Sequence, residues 1–290
     1  MPEPQNDARR GIAIYLVVAF GLSAILWTLI IHAGSIGAAR GLYVTTLMWC
    51  PALGAFITCR ILGRSVRSLG WKWVPRYQLL SYLIPLGYAL AAYLAVWLTG
   101  LGGFPNHTFL DAFAADARWT GLPSGVVLGG YVLLQGTVGM VGSTARALGE
   151  EIGWRGFLVP QLARVSSFTT TAFVSGIIWT LWHVPLILFA DYNSKTPAWY
   201  SVTCFAVMVI GISFLFAWMR LRSGSVWACA FLHASHNLFI QAILTPLTTD
   251  TGHTAWAIDE FGGALALAAI AVAVIVWRKR GLVEGVPAIG

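Results

Sequence analysis

Residues 199–219 read WYSVTCFAVMVIGISFLFAWM, a run that contains no charged side chain. A helix that crosses a bilayer needs about 20 consecutive apolar residues, so this run predicts a transmembrane helix. The rest of the chain follows the same pattern, because 58% of its 290 residues are hydrophobic and only 10% are charged. Soluble domains carry about one quarter charged residues. The composition therefore indicates a polytopic membrane protein.

Runs of similar length recur along the whole chain. They predict an all-α fold with about eight transmembrane helices, in a single polytopic membrane domain covering residues 1–290. The first run exceeds the 7–15 apolar residues of a signal peptide and is expected to be retained. The eight expected spans are 11–32, 41–62, 78–100, 124–147, 168–190, 199–219, 224–246 and 261–277.

The basic residues predict the orientation in the membrane. In the eight-span arrangement all but three of the 18 Lys and Arg residues fall on one side, the exceptions being Arg40, Arg118 and Lys195. Cytoplasmic loops carry the excess of basic residues, so both termini are expected in the cytoplasm and the protein in the cell membrane. The basic residues separate apolar runs and form no common surface. We therefore expect a lipid bilayer as partner and no nucleic acid.

Two adjacent acids, Glu150 and Glu151, follow the fourth run. If this segment is helical, Glu151 and Arg155 are spaced i, i+4 and can form an ion pair on one face. Glu150 then projects about 100° away from that face, without the same partner. The pattern predicts a free base at Glu150, supported by Glu151 and Arg155. An ordinary charged helix end at the interface is the alternative for this segment taken alone.

Two further polar groups lie inside apolar runs. His183 is one turn after Trp179, whose ring can wall one side of the imidazole. His233 and Asn237 are again spaced i, i+4 and can donate two hydrogen bonds to one oxygen, as an oxyanion site requires. Polar groups at membrane depth are costly and usually functional. Together with Glu150 they predict hydrolysis within the membrane, around one shared cavity.

Other polar residues are assigned no role in the chemistry. His236 is left outside the site, and the acids of the outer loops, including Asp259 and Glu260, are expected to be solvated. The chain contains no HExxH zinc-protease motif, no GxSxG nucleophile turn and no Walker lysine motif.

Three motifs occur in a fixed order along the chain. They are Glu150-Glu151-x-x-x-Arg155, an aromatic residue four positions before His183, and His233-x-x-x-Asn237. This order resembles the CAAX-protease and bacteriocin-processing family. This family is abbreviated CPBP and is also called the Abi or Rce1-like family of type II CAAX prenyl endopeptidases. The similarity covers residues 124–243, which form the expected catalytic core. Trp179 stands where the family usually has Phe.

The resemblance implies an intramembrane endopeptidase, commonly labelled a metalloprotease, with a cavity open to the cytoplasm. Glu150 would be the general base, His183 would help to polarise water, and His233 with Asn237 would stabilise the oxyanion. Glu151, Arg155 and Trp179 would support them. The substrate would be a membrane-associated or lipidated protein, or a peptide.

Two points stay open in the sequence. Glu150, His183 and His233 could bind Zn²⁺ with water as the fourth ligand, whereas a metal-free mechanism uses the same residues. In addition, His183 is expected near mid-membrane but Glu150 at a helix end. Either residues 148–160 dip into the protein interior, or the fifth span begins nearer Thr171.

Two other functions are compatible with buried polar groups. A transporter or proton-relay protein would use the acid and the histidines to bind an ion, although no pseudo-symmetric halves are evident in the sequence. A non-catalytic immunity or scaffold protein would use them only to join helices. Such a protein has no need for the complete set of Glu150, His183, His233 and Asn237.

Overall fold

The structure is a computed structural model that describes residues 3–283, and it confirms the all-α class. Within these residues no β-strand is formed. The helices are α1 Glu3–Ala33, α2 Leu42–Ile61, α3 Pro75–Leu98, α4 His107–Asp116, α5 Ser124–Ala163, α6 Phe168–Phe189, α7 Ala198–Ser223, α8 Val226–Asn237 and α9 Gly263–Arg278. A π-helical turn, Leu238–Leu244, continues α8.

Six of the helices in residues 3–283, rather than the expected eight, are long and apolar enough to cross a membrane: α1, α2, α3, α5, α6 and α7. The last two expected spans are shorter elements. Polar side chains interrupt α8, and α9 has only 16 residues. The polytopic class is therefore confirmed, with six candidate spans among the described residues and shorter helices at the last two expected positions.

Helix α5 is much longer than its expected span of 124–147. It continues for 40 residues to Ala163 and contains π-helical turns at Gln135–Gly139 and Ile152–Leu158. Every residue from Gly149 to Val159 is buried. The segment around Glu150 thus lies in the protein interior, which was the first of the two alternatives predicted from the sequence. It enters the interior as a continuous helix. The hydropathy pattern predicted too early an end for this span because the polar residues here are covered by protein and not by lipid.

This extension of α5 changes the orientation argument. Arg146 and Arg155, counted as residues of a cytoplasmic loop, lie inside the α5 helix. They carry no information on loop charge. The remaining Lys and Arg residues are still concentrated in the connections on one side of the bundle.

Two glycines, one helical turn apart, let α5 approach α2 closely. A Cβ atom on Gly149 would lie 2.7 Å from the carbonyl oxygen of Met48, and one on Gly153 would lie 2.6 Å from the carbonyl carbon of Pro51. Neither distance is possible for a real side chain. Small residues of this kind allow membrane helices to pack backbone against backbone. The contact holds the Glu150–Glu151 segment in the interior of the bundle.

Candidate active site

The polar residues singled out in the sequence line one cavity of about 340 Å³. Glu150 reaches it from α5, His183 from α6, and His233 and Asn237 from α8. Trp179, one turn before His183, lines the same cavity. The structure therefore brings together side chains from three helices that are distant in sequence.

Glu150 is buried, with 2% of its surface exposed. Its Oε2 accepts a hydrogen bond of 2.9 Å from the indole Nε1 of Trp179. The ring of Trp179 also packs edge-on to the His183 imidazole, with 5.9 Å between the ring centroids. The sequence indicated only this second contact. A phenylalanine at position 179 would keep the ring packing but has no donor for Glu150.

Glu151 and Arg155 form the expected ion pair, with 2.8 Å between Oε1 and Nη1. The same Oε1 also accepts a hydrogen bond of 2.9 Å from His233 Nδ1, which the sequence did not indicate. The Arg155 guanidinium lies between the rings of Trp179 and Phe216, 4.1 Å from each centroid. Breaking a buried pair leaves one charge uncompensated and costs about 3–5 kcal/mol. Glu151 therefore holds Arg155 and His233 together and is not among the residues that line the cavity.

The hydrogen bonds fix which ring nitrogens are free. His183 Nδ1 donates to the carbonyl oxygen of Trp179 at 2.9 Å, because a carbonyl can only accept. His233 Nδ1 donates to Glu151. In both neutral rings Nε2 then carries a lone pair available to the cavity. His233 can donate a second hydrogen bond only when its ring is protonated, whereas the Asn237 amide donates in any state.

The cavity wall contains a second polar cluster that was not predicted from the sequence. Glu260 was expected to be solvated, yet it is 5% exposed and lines the cavity. Its Oε1 pairs with His236 Nε2 at 3.1 Å, and its Oε2 accepts bonds from Tyr192 at 2.5 Å and Gln241 at 2.7 Å. Tyr88 binds the other nitrogen of His236 at 2.5 Å. The expectation failed because the connection between α8 and α9 folds inward, which hydropathy does not reveal.

The two acids of this inward connection differ in their electrostatics. Burial alone would raise the pKa of Glu260, but the bond and charge of His236, with the bonds from Tyr192 and Gln241, lower it to about 2. Burial and then the neighbouring Glu260 carboxylate raise the pKa of Asp259 to about 7. Glu260 is thus held ionised, while Asp259 next to it resists ionisation.

The residues expected as zinc ligands do not form a metal site in this arrangement. Within residues 3–283 no three His, Cys, Asp or Glu side chains are grouped so that they could hold a metal ion. The hydrogen bonds alone do not decide this, because a histidine that binds a metal through Nε2 commonly donates its other ring N–H to a carbonyl or a carboxylate, as His183 and His233 do. A zinc site needs three ligands at about 2.0–2.3 Å with the geometry of a tetrahedron.

The rim of the cavity lies at the connection between α1 and α2. Ile36, Arg40 and Gly41 line it there, and Tyr192 lines it from the connection between α6 and α7. In the orientation expected from the basic residues, both connections would lie on the non-cytoplasmic side.

Comparisons with known proteins agree with the motifs. Residues 132–239 match the sequence model of the family described as type II CAAX prenyl endopeptidase Rce1-like. A protein named CAAX prenyl protease 2, from Methanococcus maripaludis, is 29% identical over 138 residues, which cover 45% of this chain and 46% of that protein. The match thus spans about half the length of that curated relative. The resemblance indicated by the motifs is confirmed over this part of the chain.

Proposed function

We propose that this chain, a membrane protein whose residues 132–239 match the Rce1-like endopeptidases, is an intramembrane endopeptidase of the CAAX-processing type. Its substrates would be membrane-associated or lipidated proteins, and residues 124–243 would form the catalytic core. The observation that carries this proposal is the convergence of Glu150, His183, His233 and Asn237 on one cavity. We place the protein in the cell membrane with both termini in the cytoplasm.

In the proposed reaction Glu150 removes a proton from a water molecule in the cavity. The free Nε2 lone pair of His183 accepts a hydrogen bond from the same water and orients it. The hydroxide oxygen attacks the peptide carbonyl carbon, and the protonated Glu150 then gives its proton to the leaving amine as the C–N bond breaks. Carboxylic acids act in both directions in this way when they are desolvated.

The tetrahedral intermediate needs donors for its oxyanion. Asn237 supplies an N–H that requires no change of protonation, and His233 supplies a second when its ring is protonated. Because Glu151 holds Nδ1 of His233, the ring cannot rotate away from the cavity. Removing one such donor typically costs 10²–10³-fold in rate.

The metal-free mechanism is favoured because within residues 3–283 no three His, Cys, Asp or Glu side chains are grouped so that they could hold a metal ion. The chain's own groups supply the base, the orienting acceptor and the oxyanion donors. No further group is needed to balance the reaction.

The test is a comparison of membrane proteomes from cells that express wild type, Glu150→Gln or no protein. We expect carboxy-terminally shortened products only with wild type, since the amide introduced by Glu150→Gln still accepts from Trp179 but cannot take up a proton. Equal amounts of folded protein, verified by size-exclusion chromatography in detergent, are the control. Identical peptide termini in all three membranes would refute the proposal and favour a transporter or scaffold.

A further inference from the structure

Another cavity, of about 290 Å³, shares no lining residue with the candidate active site and carries three cationic side chains. Arg67 and Lys72 reach it from the connection between α2 and α3, and Arg220 reaches it from the last turn of α7. Among the described residues that line this cationic cavity none is acidic. The concentration of positive charge predicts an anionic ligand.

Arg220 is the least exposed of the three cations, with 4% of its surface accessible. Its Nε donates to the carbonyl oxygen of Arg155 at 2.8 Å, and its Nη2 donates to the carbonyl oxygen of Leu69 at 3.4 Å. Within residues 3–283 no carboxylate pairs with it. Carbonyl oxygens are neutral, so they hold the guanidinium in place but leave its charge uncompensated. A buried charge without a counter-ion is costly, and the cavity is where a counter-ion can enter.

The backbone around Arg220 is shaped to receive the guanidinium. Gly70 has a φ angle of 91°, and a Cβ atom at this position would lie 2.6 Å from Nη2 of Arg220. Both the backbone conformation and the close approach therefore require a glycine. The carbonyl oxygen of Gly70 also accepts a hydrogen bond of 2.7 Å from the backbone N–H of Val226. The cavity is thus formed between two connections that are bonded to each other, and not on a single loop.

The cationic cavity lies at the ends of membrane helices. Its residues belong to the connection between α2 and α3 and to the end of α7, and these three helices are long and apolar enough to cross a membrane. Tryptophan side chains are enriched at the level of the lipid head groups. Trp71 lines the cavity, and Trp73 in the same connection is 53% exposed. The cavity is therefore expected at head-group level and not in the hydrocarbon region.

We propose that the cationic cavity binds the phosphate group of an anionic lipid. A guanidinium presents a planar pair of N–H donors that matches two phosphate oxygens, and the Lys72 ammonium adds a point charge. Basic pockets between membrane helices bind lipid head groups in this way. Inorganic phosphate has the same chemistry, but the position at the ends of apolar helices favours a phosphate that carries acyl chains.

A bound phosphate would also stabilise the helix that carries Glu150. Arg220 donates to the carbonyl oxygen of Arg155 on α5, and the Arg155 side chain pairs with Glu151 at 2.8 Å. A ligand that binds only the folded protein raises its apparent stability. Anionic lipid should therefore raise the thermal unfolding temperature of the protein. This result does not require cleavage, so the inference stands or falls independently of the proposed function.

The first experiment measures lipid affinity by native mass spectrometry of the whole protein in detergent, titrated with phosphatidylglycerol or with phosphatidylcholine. We expect the first phosphatidylglycerol to bind at least about tenfold more tightly, since each basic residue near a lipid phosphate contributes roughly fivefold. The Arg67→Gln, Lys72→Gln double variant should lose most of this preference. Arg220 is left unchanged because its bonds to Arg155 and Leu69 also support the fold.

A matched control removes a charge at the same end of the bundle. Arg222, in the last turn of α7, is exposed and does not line the cationic cavity. Arg222→Gln should keep the preference for phosphatidylglycerol. An equal loss in Arg222→Gln would indicate general attraction to basic residues and overturn the inference. Equal affinity for the two lipids in wild type, or an unchanged preference in the double variant, would overturn it as well.

The second experiment separates lipid from free phosphate. Thermal unfolding is followed in phosphatidylcholine nanodiscs, in nanodiscs that also contain phosphatidylglycerol, and in phosphatidylcholine nanodiscs with added inorganic phosphate. We expect phosphatidylglycerol to raise the unfolding temperature of wild type and of Arg222→Gln but not of the double variant, and inorganic phosphate to have no such effect. Stabilisation by inorganic phosphate without any effect of phosphatidylglycerol would overturn the assignment to a lipid.

Discussion

Glu151 Oε1 accepts a hydrogen bond of 2.9 Å from His233 Nδ1, which joins two motifs 82 residues apart in the chain. The same oxygen holds Arg155 at 2.8 Å. One acid thus fixes a ring on α8 and a guanidinium on α5. The neighbouring Glu150 makes neither contact and is left to face the cavity.

We predict that Glu151→Gln and Arg155→Ala act non-additively. Each variant alone breaks the buried pair and should lower both the thermal unfolding temperature and the rate of proteolysis. The double variant should be little worse than either, with a coupling free energy of about 0.5–3 kcal/mol. A double-mutant cycle of unfolding free energies in detergent measures this coupling. Strictly additive losses would show that the pair does not act as a unit.

Trp179→Phe removes the donor to Glu150 and keeps an aromatic ring. Loss of one hydrogen bond to a charged group costs a free energy that corresponds to a factor of about ten or more in an equilibrium or rate constant. We therefore expect kcat/KM to fall by about that factor. Trp182→Phe is the matched control, because the indole of Trp182 donates to Ser23 Oγ at 2.8 Å and not to an acid. Equal losses in the two variants would mean that the bond to Glu150 has no specific role.

Asp259→Asn should stabilise the protein at pH 8 more than at pH 5. The folded pKa of Asp259 is about 7, above the ordinary value of 3.8, so ionisation opposes folding as pH rises from about 4 and fully so above about 7. Asn keeps the acceptor for the Glu260 N–H but never ionises. Thermal unfolding at the two pH values tests this. Asp250→Asn, at an exposed acid whose pKa is lowered, should give no such gain.

Activity should survive the removal of metal ions. Protein purified with stringent chelation is expected to contain substoichiometric zinc by elemental analysis and to cleave at the wild-type rate. The reason is that Glu150, His183 and His233 do not form a metal-binding group in residues 3–283. Stoichiometric zinc whose removal stops cleavage and whose return restores it would contradict this prediction.

The orientation can be tested with single added cysteines, since the four native cysteines are buried. On intact cells a membrane-impermeant maleimide should label Asp116→Cys but not Arg67→Cys. Lysis should make Arg67→Cys reactive as well. Both positions are exposed in the structure. The reverse pattern would place the termini outside the cytoplasm.

Helical periodicity explains what could be predicted from the sequence. The pairs Glu151–Arg155 and His233–Asn237 each share a helix face because four residues make about one turn. The partner of the Trp179 indole depends instead on how α5 and α6 pack. Periodicity within one helix contains no information on such a contact.

The inward path of the chain before α9 could not be predicted either. Asp259 and Glu260 follow a polar connection, and hydropathy treats acids in such a position as solvated. What buries Glu260 is a set of hydrogen-bond partners on other elements, His236, Tyr192 and Gln241. The prediction that the fourth span ends at residue 147 failed for the same reason, since protein and not lipid covers the polar residues of α5 beyond that point.

Glu260 is the last of the polar cavity residues to be synthesised. Chains are made from the amino terminus, so all four motif residues are in place before the connection that carries Glu260 leaves the ribosome. Until that connection folds back, His236 lacks its carboxylate partner and the cavity lacks one wall. A nascent chain arrested after Leu244 would hold every motif residue around a cavity that still lacks the wall formed by Glu260.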